Sequence, residues 1–590
     1  MTAVMLDGVS LTRAQLLAVA NGAPVELDPG ALQAVARAAG FLAAQVERGE
    51  PIYGISTGFG SNADKLLPAD GCLREQLQRN LVITHAVCVG EPFAADVVRA
   101  MLCIRINTLL RGHSGIRVST LQALAAMLNA GVVPVVPQLG SVGASGDLAP
   151  LSHLAIVLLG GGEALFGGER LPGGEALQRA GLAPVTLGLK EGLALNNGTA
   201  QMLATGVLAL ARLEDLLDTA DLAAAMTVDA FAGRLGAFAP EVHALRPHPG
   251  QVHVAARLRA LLEGSTLAGI DYHLVPKFHP GECAFDIAWQ WAPDAKPPFR
   301  GGKKVQPQDS YSLRCVPQVH GAVRDAVAQA ARVLEIELNA VTDNPLVFPD
   351  AEADRAVVSA GHFHGMPLAL AMSYAKAAIP VLASISERRL NKLVDPATND
   401  GLPAFLVGNE DGTESGHMIV QYTAAAIVND LASRAMPASV YSIPTSANAE
   451  DHVSMGANEA RHVLAMAADL GKVLALELFT AAQALDVRLR MLRTAQELAA
   501  DAAAFAAKVQ GGPVGDGEAR ASFLAQVDEL RADLRGAGAF RPGRVVAAAH
   551  AAIRERIGFL ERDRALDGDV RAAIGMVEDG SVLAAARAAE

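Results

Sequence analysis

Apolar residues recur at helical spacing through five long stretches of the chain, at 203–226, 318–339, 367–394, 417–435 and 459–485. Several of these are apolar nearly all round, which implies burial on every side. A helix of twenty-odd residues is roughly 30 Å long, and several together bury their faces most easily as a bundle. Apolar surface left over on such a bundle invites assembly into an oligomer. Before about Asn197 the pattern changes: short apolar runs alternate with Gly54, Gly58, Gly60, Pro134, Pro137, Gly140, Gly143 and Gly146, as in loops that present chemistry. The segment 289–308, WQWAPDAKPPFRGGKKVQPQ, breaks the helical pattern with Pro, Gly and Lys and reads as an exposed loop. A Gly-rich stretch at 510–517 reads as a turn between two alanine-rich helices. These shifts divide the chain into 1–200, a mixed amino-terminal part; 201–485, a bundle of long helices; and 486–590, a further helical region. The expected fold class is all-α.

Composition narrows the function classes. Aromatics make up 4% of the 590 residues while alanine and leucine abound, a balance that favours helix over sheet. A net charge of -13 without charge blocks gives no footing for a nucleic acid. Cys72, Cys88, Cys103, Cys283 and Cys315 are odd in number, widely spaced and without a CxxC pair, so neither a disulfide framework nor a zinc site is suggested and a reducing cytoplasm fits. The opening MTAVMLDGVSLTRAQLL lacks the pattern of a signal peptide, and no apolar run reaches a bilayer's length uninterrupted, so no membrane partner is expected. The glycines at 160–162 do not continue into a nucleotide-binding loop.

The most informative run is GSVGASGDLAPLSH at 140–153, in which three small residues, Ala144, Ser145 and Gly146, sit between turn glycines and a helix start. Gly, Ser and Asp are also ordinary turn residues. The chemical reading is that the Gly146 amide nitrogen attacks the Ala144 carbonyl, and loss of two waters leaves a methylidene on a five-membered ring. Only small side chains let a backbone bend that tightly.

Here the sequence resembles the aromatic amino acid ammonia-lyases, and among them the histidine enzymes most. The resemblance continues in YGISTGFG at 53–60, QRNLV at 78–82, EGLALNNGT at 191–199, QDSYSLRC at 308–315 and PTSANAEDH at 444–452, in the family's order. It implies an ammonia-lyase/fumarase-like fold with a central bundle of long helices. It also implies a homotetramer whose active sites combine loops from more than one subunit, and a 4-methylidene-imidazol-5-one (MIO) ring formed autocatalytically from Ala144, Ser145 and Gly146 with no external cofactor. Expelling ammonia requires a better leaving group and removal of a weakly acidic β-proton, and the ring serves as the electrophile. By the same resemblance Tyr53 is the base. Asn197 and Tyr311 support the site, Gln308 belongs to the substrate contacts, and Arg314 is a fork for the substrate carboxylate. Tyr311 and Arg314, three apart, share a face if that segment is helical. A buried asparagine also needs satisfying for structural reasons alone, so Asn197 has a second reading.

Substrate choice in the family is associated with the pair one residue after Asn-Leu-Val, here Thr84 and His85. It looks like the Ser-His of histidine enzymes. Imidazole both gives and accepts hydrogen bonds, so His85 suits an imidazole substrate, and L-histidine going to urocanate is the reading. Phe363 and Asp430 join Thr84 and His85 as substrate contacts. Three departures stand against L-histidine: His362 and Met366 in GHFHGM at 361–366 replace an amide and a carboxylate, and Asp430 is a methylene shorter than the usual Glu. The His362 and His364 pair has no third partner at metal-ligand spacing, so no metal is expected. Extra material relative to compact histidine enzymes falls around 289–304 and 496–540, either a lid or surface insertions. An aminomutase, which uses the same ring but returns ammonia to the β-carbon, is the alternative activity, as is a lyase for another heteroaromatic amino acid.

Overall fold

The computed structural model describes residues 2–48, 52–60, 64–66, 71–279, 286–291, 308–352, 355–407 and 412–590. The chain is 61% helical, in agreement with the expected class. All five long helices are present, as Ala200–Ala230, Val316–Glu337, Met366–Val394, Met418–Arg434 and Gly456–Leu498. The last runs 43 residues, well past the expected end at 485, because Val487, Met491, Leu492 and Ala495 continue the buried stripe.

Residues group into two compact units, each drawn from three stretches of chain. Unit 1 comprises Met1–Ala211, Val327–Ala377 and Met436–Ala465; unit 2 comprises Arg212–Ala326, Ala378–Ala435 and Met466–Glu590. Unit 1 carries most of the short strands, among them Val4–Leu6 parallel to Val25–Leu27, and Glu163–Phe166 between Val133–Pro134 and Glu169–Pro172. Its helical segments approach closely: a Cβ added at Gly206 would stand 3.2 Å from Met372 Sδ and 3.3 Å from a Leu334 methyl. In unit 2 one large core unites Leu222 to Phe231, Leu390 to Val394 and Ala475 to Leu492 with the helices nearest the carboxy terminus.

One expectation needs correction. Residues 289–291 are not an exposed loop: Ile287–Gln290 is the middle strand of a three-stranded sheet, between Val509–Gln510 and Lys277–Phe278. Trp289 is 4% exposed, with its ring 5.0 Å from that of Phe505. The aromatic pair buries enough apolar area to hold a short strand in place, whatever the composition that follows it. The rest of that segment, 292–307, lies outside the described residues, as does Cys283. The 496–540 material packs into unit 2 through Phe505, Phe523, Val527, Leu530 and Leu534, and its Gly-rich run follows strand Val509–Gln510 into the helix Glu518–Gly536.

Among the described residues one helix, Met366–Val394, is long and apolar enough to cross a membrane, but most of its apolar window is buried. Within unit 1 it also carries Lys376, fully buried and 2.6 Å from Glu459, which marks a core helix. Cys72, Cys88, Cys103 and Cys315 form no disulfide with one another.

Candidate active site

The tripeptide Ala144-Ser145-Gly146 precedes the helix Leu148–Leu158 and is held on several sides by backbone. Gly146 adopts φ +75°, and a Cβ there would lie 2.2 Å from the Gly198 carbonyl oxygen, so no other residue fits. A parallel bridge joins Gly146 to Gly198, and the Asp147 amide donates to Gly198 O at 2.6 Å. Ahead of the tripeptide, Val142 O accepts from the Met455 amide at 2.8 Å and Gly143 O from Ser454 Oγ at 2.9 Å. Asn197 Nδ2 donates to Ser145 O at 2.8 Å, while Asn197 Oδ1 is buried and has no hydrogen-bond partner among the described residues.

Ser145 opens into a cavity of about 530 Å³ whose described lining residues all belong to unit 1, Tyr53, Phe59, Thr84, His85, Asn197, Phe363 and Glu450 among them. Five of the expected side chains other than Ser145 therefore meet it in one chamber. Tyr53 Oη accepts from the Gly60 amide at 3.0 Å, which fixes the phenol's direction, and the ring meets Phe59 edge-on at 6.4 Å. At the end of the helix Gly71–His85, Thr84 Oγ1 donates to Asn80 O at 2.7 Å and lies 3.1 Å from His85 Nδ1. The hydroxyl's single proton is thus engaged, so Nδ1 is assigned as donor and Nε2 as acceptor. Burial pushes the His85 pKa below its ordinary value, partly opposed by the Leu81 carbonyl and by the charge of Glu450. The ring is neutral at pH 7.

Glu450, in the run PTSANAEDH, has no role that its sequence context assigns. In the structure Ser145 Oγ donates to Glu450 Oε1 at 2.6 Å, and Thr445 Oγ1 donates to Oε2 at 2.6 Å. Asp147 was likewise unassigned. It is fully buried and accepts from Ser141 Oγ and the Met202 amide, both at 2.9 Å, and burial raises its pKa to about 7 against those hydrogen bonds.

The remaining expected residues belong to unit 2. Tyr311–Arg314 is a single helical turn, and the Arg314 guanidinium lies 4.5 Å from the Tyr311 ring centroid, as the spacing implied. Arg314 Nε donates to Asp309 O at 3.0 Å. Gln308 is exposed. Asp430 lies on the exposed face of Met418–Arg434 and pairs with Arg434 at 2.6 Å. Of the departing positions, His362 and Met366 are absent from the cavity lining, to which that segment contributes Phe363. Among the described residues no group of three His, Cys, Asp or Glu could hold a metal.

An MIO ring fits these surroundings. The tripeptide is bent over a glycine that tolerates no Cβ, its central carbonyl already meets an amide donor, and its hydroxyl faces a carboxylate.

The chain matches the family model described as aromatic amino acid lyase over residues 11–510. It is 45% identical over 582 residues to the histidine ammonia-lyase of Symbiobacterium thermophilum, covering 98% of each chain, and 49% identical over 486 residues to that of Gloeobacter violaceus, covering 82% of this chain and 88% of that one. Among solved structures it is similar to histidine ammonia-lyase from Trypanosoma cruzi (TM-score 0.78, 34% identity, 99% of this chain and 95% of that one). It is also similar to tyrosine aminomutase from Streptomyces globisporus (TM-score 0.81, 31% identity, 100% and 99%). With a family match across most of its length and relatives this similar end to end, the chain belongs to the aromatic amino acid lyase family.

Proposed function

We propose that this protein eliminates ammonia from L-histidine to give urocanate, using an MIO ring made from Ala144, Ser145 and Gly146, in a cytoplasmic homotetramer with shared active sites. The observation that carries the reading is His85 in the same cavity as Ser145, neutral and with Nε2 free to accept from an imidazole N–H. The two relatives named above as histidine ammonia-lyases, matched over 98% and 82% of this chain, support that substrate, and so does the position of His362 and Met366 off the cavity lining.

The ring, once closed, supplies an electrophile that turns the amino group into a better leaving group. The chain's own side chains do the rest. His85 and Thr84 hold the substrate imidazole, and Phe363 packs beside it. Tyr53 removes the β-proton, its oxygen oriented by the Gly60 amide. Asn197 holds the Ser145 carbonyl. Arg314 takes the substrate carboxylate with the edge of its guanidinium not engaged by Asp309, and Tyr311 braces it from the ring face. Gln308 and Asp430 complete the substrate contacts in the assembled tetramer. Assembly is supported by exposed apolar side chains on each unit, Tyr374, Val440 and Ile443 on unit 1 and Val381, Ile419 and Tyr422 on unit 2.

The test is the ultraviolet progress curve with L-histidine for the wild type and Ser145→Ala, with the product identified by mass. Urocanate from the wild type, lost by about a thousandfold or more in the variant, is expected. A β-amino acid product would make the enzyme an aminomutase, and no turnover of L-histidine would remove it as substrate.

A further inference from the structure

A buried cation, absent from the cavity lining, packs against the Asn197–Gly198 segment that contacts the tripeptide. Arg105 sits in the helix Ala95–Leu110, 1% exposed in an otherwise apolar stretch. Its Nε donates to Ala194 O at 2.8 Å and its Nη1 to Asn197 O at 2.7 Å. These are carbonyls at the end of the short buried helix Glu191–Asn196, which no further helical turn can satisfy. The guanidinium thereby stops that helix and turns the chain into Asn197 and Gly198. A Cβ on Gly198 would lie 2.5 Å from Arg105 Nη1 and one on Gly146 would lie 2.2 Å from Gly198 O, so Arg105, Gly198 and Gly146 form a three-layer stack with no free space between layers. Asp343 neutralises part of the charge and is itself 2.5 Å from Lys190 Nζ, both fully buried.

We propose that Arg105 is a positioning residue for ring closure: by clamping the carbonyls of Ala194 and Asn197 it holds the Asn197–Gly198 wall against which the tripeptide is bent. This rests on the proposed formation of the ring. Closure joins Gly146 N to the Ala144 carbonyl carbon. The Ala144 oxygen leaves as water with the amide hydrogens of Gly146 and Ser145, creating the C=N bond. The Ser145 hydroxyl then leaves as a second water with the Ser145 Cα hydrogen, creating the methylidene. Arg105 contributes to neither proton transfer. It fixes Asn197 Nδ2 on the Ser145 carbonyl, which survives as the ring carbonyl, and Gly198 O on the Asp147 amide, so that the nucleophile is presented at a fixed distance.

The test follows the intact mass of the full chain during cell-free synthesis, for the wild type, Arg105→Met, Arg105→Lys and a destabilised control in unit 2, Glu477→Gln. Helical circular dichroism establishes which proteins have folded. The expected result is loss of two waters by the wild type and by Glu477→Gln at the same rate, with closure at least about tenfold slower in folded Arg105→Met, the scale of losing charge-assisted hydrogen bonds. Arg105→Lys, which keeps the charge but reaches one carbonyl, falls between. Should Arg105→Met not fold, Arg105→Lys decides alone. Closure of Arg105→Lys at the wild-type rate, or equal slowing in Glu477→Gln, overturns the proposal. A wild type that never loses two waters overturns the ring itself, a different failure from that of the clamp.

Discussion

Buried cations in both units find one of two targets, the carbonyls at a helix end or a carboxylate, as Arg105 of unit 1 and Arg389 of unit 2 illustrate. In unit 1, Arg105 binds two carbonyls at a helix end and leaves Asp343 to Lys190. In unit 2, Arg389 makes a bidentate pair with Glu477, at 2.6 and 2.7 Å, with both side chains fully buried between two long helices. Thr227 and Ser386 donate to the same carboxylate, and Arg389 Nη1 lies 3.3 Å from His320 Nε2, whose Nδ1 reaches Asp221 at 2.8 Å. A cation that faces helix interiors meets no spare carbonyls and needs an acidic side chain, whereas one that faces a helix end finds carbonyls in surplus. Arg488 supports the rule within unit 2, since it binds Ala230 O and Asp400 O where a helix stops and a left-handed residue turns the chain. A buried cation on carbonyls shapes a loop, and one on a carboxylate ties helices together.

The sharpest way to break this contrast is to remove the acid from unit 2. Glu477→Gln leaves Arg389 buried without its counter-charge and is expected to cost about 3 to 5 kcal/mol of stability, read by urea denaturation. Turnover per folded molecule should be unchanged, because the site's expected residues do not include this pair. A variant as stable as the wild type, or one that folds but has lost activity, would mean that the pair is not the structural tie described.

How much of this was legible follows the same division. The five long helices could be read because periodicity extends over many turns, and the tripeptide, Tyr53, Asn197 and His85 because they sit in compact motifs. Glu450 lies in the run PTSANAEDH, but an acid in a loop has no periodicity, and only the fold brings it, 305 positions away, to Ser145 Oγ. Arg105 did leave a signal: a single Arg inside MLCIRINTLL is a charge with nowhere to go but a buried partner. Its partners, 89 and 92 positions on, are main-chain atoms and carry no residue signature. Trp289 was lost among the prolines and lysines that follow it, although an aromatic flanked by Ile287 and Ala288 reads as a strand once those neighbours are weighed.

A smaller effect is expected in the unit 1 cavity. His85→Leu removes the acceptor for the substrate imidazole while filling similar space, and kcat/KM for L-histidine should fall about 10- to 100-fold, the scale of one unpaired polar contact. Thermal stability should hold, because His85 is partly exposed at a helix end. Unchanged kcat/KM would detach His85 from substrate recognition.

The finest test compares two histidines that burial keeps neutral, His85 in the unit 1 cavity and His417 in the core of unit 2. His417 is fully buried, its Nδ1 3.2 Å from Thr480 Oγ1 and its Nε2 without a hydrogen-bond partner among the described residues. Burial, helped by the charges of Arg554 and Arg564, lowers its pKa from 6.5 to about 3. Between those values the unfolded chain binds the proton and the folded one does not. Stability from this group is therefore complete above pH 6.5 and falls as pH drops toward 3, by about 1.4 kcal/mol per pH unit at most. Urea denaturation at pH 7 and pH 5 should show a larger acid loss in the wild type than in His417→Gln, with the carboxylates' contribution common to both and cancelling in the difference. Parallel losses would mean that water reaches the His417 ring and that the core of unit 2 opens there. The His85→Leu protein should lose slightly less stability in acid than the wild type, in the same direction as His417→Gln but by less, because burial lowers the pKa of the partly exposed His85 ring against the opposing Leu81 carbonyl and Glu450 charge.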